Sequence, residues 1–186
     1  WETVVEVLYP NGVVKQQTVT FAQGEQADHF YPLIKGTAYT QQAVFPAKKS
    51  TVSIKGAAIT VTPGAVTATT AVSITALRDV DIPALDAGMV NVTAQAHGYR
   101  FLPHGIRFQK AANITIGYDA AKIPEGYTEK DIKTYYFDEQ THHWVPLKLD
   151  TVLEKNGKVV SRTTHFTDMI NAIIKAKPST AKGTYL

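Results

Sequence analysis

From residue 51 to residue 174 the chain repeats one pattern: short runs of alternating apolar and polar residues, each closed by turn-forming residues. Residues 71–77 set Val72, Ile74 and Ala76 on one face, alternating with Ser73 and Thr75, the period-two signature of a half-buried strand. Further strands are predicted over 58–62, 89–95, 99–102, 106–108, 113–118, 132–137, 143–147, 151–154, 158–164 and 166–174. Pro63-Gly64 and Asn156-Gly157 supply turn chemistry, because glycine and asparagine tolerate positive φ. Many short strands separated by turn signals predict an all-β fold, an antiparallel β-sandwich of Ig-like type. Two stretches could host a helical turn, 129–133 and 168–175. In the second, Met169, Ile170, Ile173 and Ile174 fit one helix face, and a buried strand would carry the same apolar run.

Ahead of this series, residues 1–50 read as an extension. Residues 3–9 predict a strand, Pro10-Asn11-Gly12 a turn, and 13–21 a returning strand, giving a small N-terminal β-hairpin. Residues 22–49 are broken by Gly24, Pro32, Gly36 and Pro46 and read as loop with one or two short strands, then a linker near Pro46. The expected organisation is therefore an extension over 1–50, a sandwich over 51–175 and a linker tail over 176–186. Trp1-Glu2-Thr3 lacks the charged-then-apolar opening of a signal peptide, so the chain reads as a mature or excised piece of something longer.

Composition narrows the function classes. Of the 186 residues, 44% are apolar and 19% charged, a globular balance. The absence of cysteine removes disulfides, thiolate metal sites and thiol catalysis. The net charge of +3 is spread thinly along the sequence, with Lys48-Lys49 and the tail lysines Lys175, Lys177 and Lys182 as its local enrichments. That distribution argues against a nucleic-acid partner, and no apolar run reaches the roughly 20 residues of a membrane span. No cofactor motif is legible: Gly-rich phosphate loops and the Gly-x-Ser-x-Gly elbow are missing.

The order of several short motifs carries a resemblance. These are Ile59-Thr-Val-Thr-Pro-Gly-Ala65, Val72-Ser-Ile-Thr75, Tyr99-Arg-Phe-Leu-Pro-His-Gly-Ile-Arg-Phe108, Ile114-Thr-Ile-Gly-Tyr118, Tyr135-Tyr-Phe-Asp138, Trp144-Val-Pro-Leu147 and Thr164-His-Phe-Thr167. Together, over about residues 55–174, they resemble the ZU-type β-sandwich module shared by zonula occludens proteins, netrin receptors and ankyrins. The run 166–175 also resembles the region that precedes the SpvB-type part of Rhs-repeat and toxin-complex proteins. These likenesses imply a non-catalytic structural or protein-interaction module of a large exported bacterial protein, secreted or at the cell surface. It would dock on other domains of its own chain or on a protein partner.

The ZU-type resemblance also implies one chemical possibility. A His-Phe-Ser-like triplet in that family can cut its own backbone through an N-to-O acyl shift. Carried onto this chain, Thr167 would be the nucleophile, His165 the base and Phe166–Thr167 the scissile bond. The competing reading makes Phe166 a core residue and the flanking polar groups backbone partners.

Other clusters read as structural. His142-His143 sits in a hairpin loop, where adjacent residues point to opposite faces and cannot share an ion. Asp79, Asp81 and Asp86 could meet calcium, but their spacing matches no established calcium loop. Asn91-Val-Thr93 and Asn113-Ile-Thr115 fit the glycosylation pattern and read as strand residues. Tyr135, Tyr136, Phe137 and Trp144 predict core packing, with Tyr136 the outward member open to a carbohydrate or surface-adhesion contact.

Overall fold

A computed structural model describes residues 2–8, 14–20, 36–153 and 156–175, with side chains described over 36–148 and 156–175. Strands β1 (Glu2–Leu8) and β2 (Val14–Thr20) form a two-stranded antiparallel hairpin, Glu2 opposite Thr20 and Leu8 opposite Val14. The Pro10-Asn11-Gly12 turn between them falls outside the described residues.

Twelve further strands build two antiparallel sheets that pack face to face as a β-sandwich. They are β3 (Tyr39–Val44), β4 (Ser50–Ile54), β5 (Ala57–Val61), β6 (Thr70–Leu77), β7 (Met89–Asn91), β8 (Gly98–Leu102), β9 (Arg107–Gly117), β10 (Lys133–Asp138), β11 (His143–Pro146), β12 (Lys148–Leu153), β13 (Lys158–His165) and β14 (Asp168–Ile174). One sheet runs β11-β10-β14-β8-β6-β3, with β7 also paired to β14; the other runs β12-β13-β9-β5-β4. Both lateral margins are made by consecutive strands that change sheet, β3 to β4 through 45–49 and β11 to β12 through Leu147.

Two sequence expectations are corrected. The breaks expected between 108 and 113 do not occur: β9 is one strand of 11 residues. Residues 89–95 form only the short β7, followed by an isolated bridge from Thr93 to Tyr118. The run 168–175, open between strand and helix, is strand β14, and the stretch 129–133 holds the 3-10 turn Glu129–Asp131. In addition β3, on the extension side of residue 50, pairs with β6 at the edge of the larger sheet.

The apolar run of β14 has a clear cause. Met169 and Ile173 face the second sheet, whereas Ile170 and Ala172 join Met89, Tyr135 and Trp144 in a separate cluster. The segment 78–88 covers that outer cluster: the Trp144 indole donates to the Ala84 carbonyl at 3.0 Å, and Asp86 accepts from the Trp144 backbone N–H at 2.9 Å. A strand buried on both faces loses its alternation. Trp144 is thus a core anchor, 5% exposed, on the outer side of the larger sheet rather than between the sheets.

Between the sheets lie Val52, Ile59, Val72, Ile74, Phe101, Phe108, Ile114, Ile116 and Phe166. One polar residue spans this interior. Asn171, fully buried, accepts from the Thr134 hydroxyl at 2.8 Å and donates its amide across to the Ile116 carbonyl at 2.9 Å. At one rim, Gly56 (φ +90°) lies against the Tyr99 hydroxyl, where a Cβ would overlap it. Burial pushes the Tyr99 pKa up to about 12, and the hydroxyl donates to the Ala94 carbonyl at 2.9 Å.

Candidate functional site

The chain crosses from the five-stranded sheet to the larger one between β13 and β14, with only Phe166 and Thr167 between them. A β-bulge prepares the step. The pairing of β13 with β9 shifts between Thr163 and His165, so that His165 stands opposite Arg107. The Thr163 hydroxyl holds the bulge by donating to the His165 carbonyl at 2.7 Å. An extra residue in a strand re-aims the side chain that follows it, and His165 turns toward Tyr136, its ring edge-on at 4.4 Å between centroids.

Phe166 plugs the step. It is fully buried, edge-on to Phe108 of β9 at 4.9 Å and tilted against Phe101 of β8 at 5.7 Å, one aromatic partner from each sheet. Its carbonyl accepts from the Gly105 N–H at 3.3 Å. The Thr167 hydroxyl donates to the Phe137 carbonyl at 3.0 Å, and the Thr167 carbonyl accepts from the Phe101 N–H at 3.3 Å. Asp168, next in line, takes Arg100 through both oxygens at 2.7 and 2.8 Å.

A cleft of about 430 Å³ opens over this step, lined by His104, Arg107, Tyr136, Asp138, Glu139, Gln140, His165 and Thr167 among others. His104 Nε2 lies 3.3 Å from Glu139. Burial holds the His165 pKa below the usual imidazole value; Arg107 and His104 lower it further, and Asp138 opposes them. The Asp138 carboxyl is held low, chiefly by accepting from the Gln140 backbone N–H. The wall thus mixes basic and acidic groups around an imidazole biased toward its neutral form.

The structure brings His165, Phe166 and Thr167 together at this cleft and adds His104, Arg107, Asp138 and Glu139. Pro103-His104-Gly105 carries turn chemistry, and the turn from β8 to β9 is what brings His104 to the crossing; nothing in spacing signalled Arg107 or the acidic pair.

The other clusters disperse. Asp79 lies near His97 at 3.4 Å, Asp81 is held by Arg78 at 2.7 Å, and Asp86 pairs with His143 at 2.9 Å, so the three carboxylates serve three separate contacts. His142 occupies positive φ and packs toward Phe137, away from the His143 contact. No group of three His, Asp or Glu side chains arranged for a metal occurs among the described residues. Tyr136, expected outward, faces the inter-sheet side and packs on the core; Tyr135 takes the outer side and is 4% exposed beneath the 78–88 segment. Core packing is thus what Tyr135 and Trp144 do, and Tyr136 also lines the cleft. Among the described residues no helix is long and apolar enough to cross a membrane.

The fold and this junction define the chain as an antiparallel β-sandwich with a polar cleft at a sheet crossing. No protein-family model and no curated protein matches the sequence.

Proposed function

We propose that the chain is a non-catalytic interaction module of a large exported bacterial protein, docking on neighbouring domains or on a protein partner through the cleft at the β13–β14 crossing. The ZU-type resemblance supplies the setting. The observation that carries the docking role is the use made of the His-Phe-Thr triplet. Phe166 fills the space between the sheets and Thr167 ties the crossing to β10, so the motif braces a surface instead of presenting an activated hydroxyl. The cleft above it offers hydrogen-bonding groups of both charges, the composition of a polar docking surface rather than of an apolar pocket. Hydrogen exchange compares the isolated module with the longer polypeptide that contains it. Residues 104–107 and 136–140 exchange more slowly in the longer protein if the cleft is covered; equal rates contradict the docking role.

A second reading rests on the Gly105 N–H, which points at the carbonyl that an acyl shift would attack. In that reaction Thr167 Oγ1 adds to the Phe166 carbonyl carbon and His165 takes the hydroxyl proton. The Gly105 N–H steadies the oxyanion, His165 passes the proton to the Thr167 nitrogen as the C–N bond breaks, leaving an ester and a free Thr167 amine, and water then hydrolyses the ester. Hydroxylamine traps such an ester as a hydroxamate on Phe166; a wild-type chain that yields none counts against cleavage.

A further inference from the structure

We propose that the outer face of the five-stranded sheet binds an acidic polysaccharide, a chain of uronic-acid rings. This does not rest on the docking role above; the face adjoins the cleft only at Arg107 and His165. In sequence the basic residues look scattered; the sheet topology gathers them. Strands β4, β5, β9, β12 and β13 contribute Arg107, Lys110, Lys148, Lys158 and Arg162, and their one acidic residue is Asp150. All five cations are exposed. On the larger sheet the strand carboxylates are Asp138 and Asp168.

Register turns this excess into an ordered row. Thr51 pairs with Thr60, Thr60 with Asn113, Asn113 with Arg162, and Arg162 with Lys148, one residue from every strand of the sheet. The Thr51 and Thr60 hydroxyls lie 3.0 Å apart, so they project to the same side, and Asn113, Arg162 and Lys148 are exposed on it. The row therefore runs from hydroxyls through an amide to two cations. Beside its basic end, a hollow of about 330 Å³ is lined by Lys148, Arg162, Thr164 and His165, and His165 also forms a wall of the cleft that holds Arg107.

The chemistry of the row selects its ligand. A chain laid across the strands meets a new side chain about every 4.8 Å, close to the length of one pyranose ring. Each uronic-acid ring carries hydroxyls, which suit threonine and asparagine, and a planar carboxylate, which suits the guanidinium fork. A nucleic acid would want exposed aromatic rings for its bases, and the row has none. An acidic peptide lacks the ring hydroxyls that Thr51, Thr60 and Asn113 would engage.

The test is fluorescence anisotropy of the whole chain with a labelled oligogalacturonate, alongside neutral dextran, a polyglutamate peptide and single-stranded DNA. Oligogalacturonate is expected to bind in preference to all three. The double substitution Arg162→Ala with Lys148→Ala should weaken it by about tenfold or more and flatten its salt dependence. Thr60→Val with Asn113→Ala should weaken it while leaving the salt dependence unchanged, which separates hydroxyl recognition from bare charge. Lys130→Ala with Lys133→Ala, exposed cations outside this sheet, should change nothing. The proposal is overturned if oligogalacturonate does not bind, if polyglutamate or DNA binds as tightly, or if the Lys130/Lys133 variant weakens binding as much as the Arg162/Lys148 variant. Circular dichroism of each variant confirms that the sheets remain.

Discussion

Arg100 of β8 grips Asp168 of β14 through two parallel hydrogen bonds, three residues past the end of β13 in the five-stranded sheet. The two side chains are 15% and 10% exposed, so the pair is largely withdrawn from water. It pins the start of β14 to β8, in the register that pairs Asp168 with Arg100 directly.

Removing one partner of such a pair strands the other charge. Asp168→Asn should destabilise the protein by about 3 kcal/mol, because Arg100 loses its ionic partner in a site with little access to water. Replacing both residues, as Arg100→Met with Asp168→Leu, should cost markedly less than Asp168→Asn alone. Urea unfolding of the two variants measures the difference, and equal losses would contradict the reading.

Asn171 links the two sheets through their interior. Its side chain joins the Thr134 hydroxyl on its own sheet to the Ile116 and Gly117 carbonyls on the other, and its N–H donates to the Thr93 hydroxyl. Asn171→Leu keeps the volume but removes those side-chain bonds, leaving the Thr134 hydroxyl and two carbonyls without them. A loss of about 2–4 kcal/mol is expected, more than a surface substitution costs. A change below about 0.5 kcal/mol in urea midpoints converted to free energy would show that the bridge is not required.

His165 gives the stability a pH dependence of definite sign. Its pKa is lowered in the folded protein, first by burial and then by Arg107. The unfolded chain, with an ordinary imidazole near pH ~6.5, therefore takes up the proton first as pH falls. Stability contributed by the neutral ring is intact above that value, declines below it, and stops declining once the folded pKa is passed. His165→Gln should flatten the fall in stability below pH ~6.5 relative to wild type. Two-dimensional NMR should place the His165 midpoint below the ordinary value, and Arg107→Ala should move it upward. An unmoved midpoint would contradict the Arg107 contribution.

Thr167 acts as a brace. Thr167→Val removes the hydrogen bond to the Phe137 carbonyl from a site only 7% exposed, and about 1 kcal/mol of stability should go with it. A thermal melt unchanged from wild type would mean the hydroxyl contributes nothing to the crossing.

Much of the sandwich was legible where a strand is wetted on one face and keeps its alternation, as Ala57, Ile59 and Val61 do in β5. Where that condition fails, so does the reading. β14 is buried on both sides and its apolar run fits a helix equally well. β3, with Gln41 and Gln42 exposed at a sheet edge, carries too little apolar signal to stand out from a loop. Gln109, Lys110 and Ala111, all exposed at the centre of β9, interrupt its pattern and make one strand look like two. The site was legible only as a local triplet. Arg107 meets His165 through a strand pairing 58 residues apart in sequence, shifted by a bulge that no local pattern announces. The basic row on the outer sheet is the same kind of feature, since Thr51, Asn113 and Lys148 become neighbours only through the topology.

The claim that the His-Phe-Thr triplet is structural is tested most directly by the intact mass of the purified wild-type chain under denaturing conditions, after prolonged incubation. One full-length species, identical in behaviour to Thr167→Ala, is the predicted result. Two fragments meeting at Phe166–Thr167, absent from the Thr167→Ala protein, would contradict it and make the crossing a site of self-cleavage.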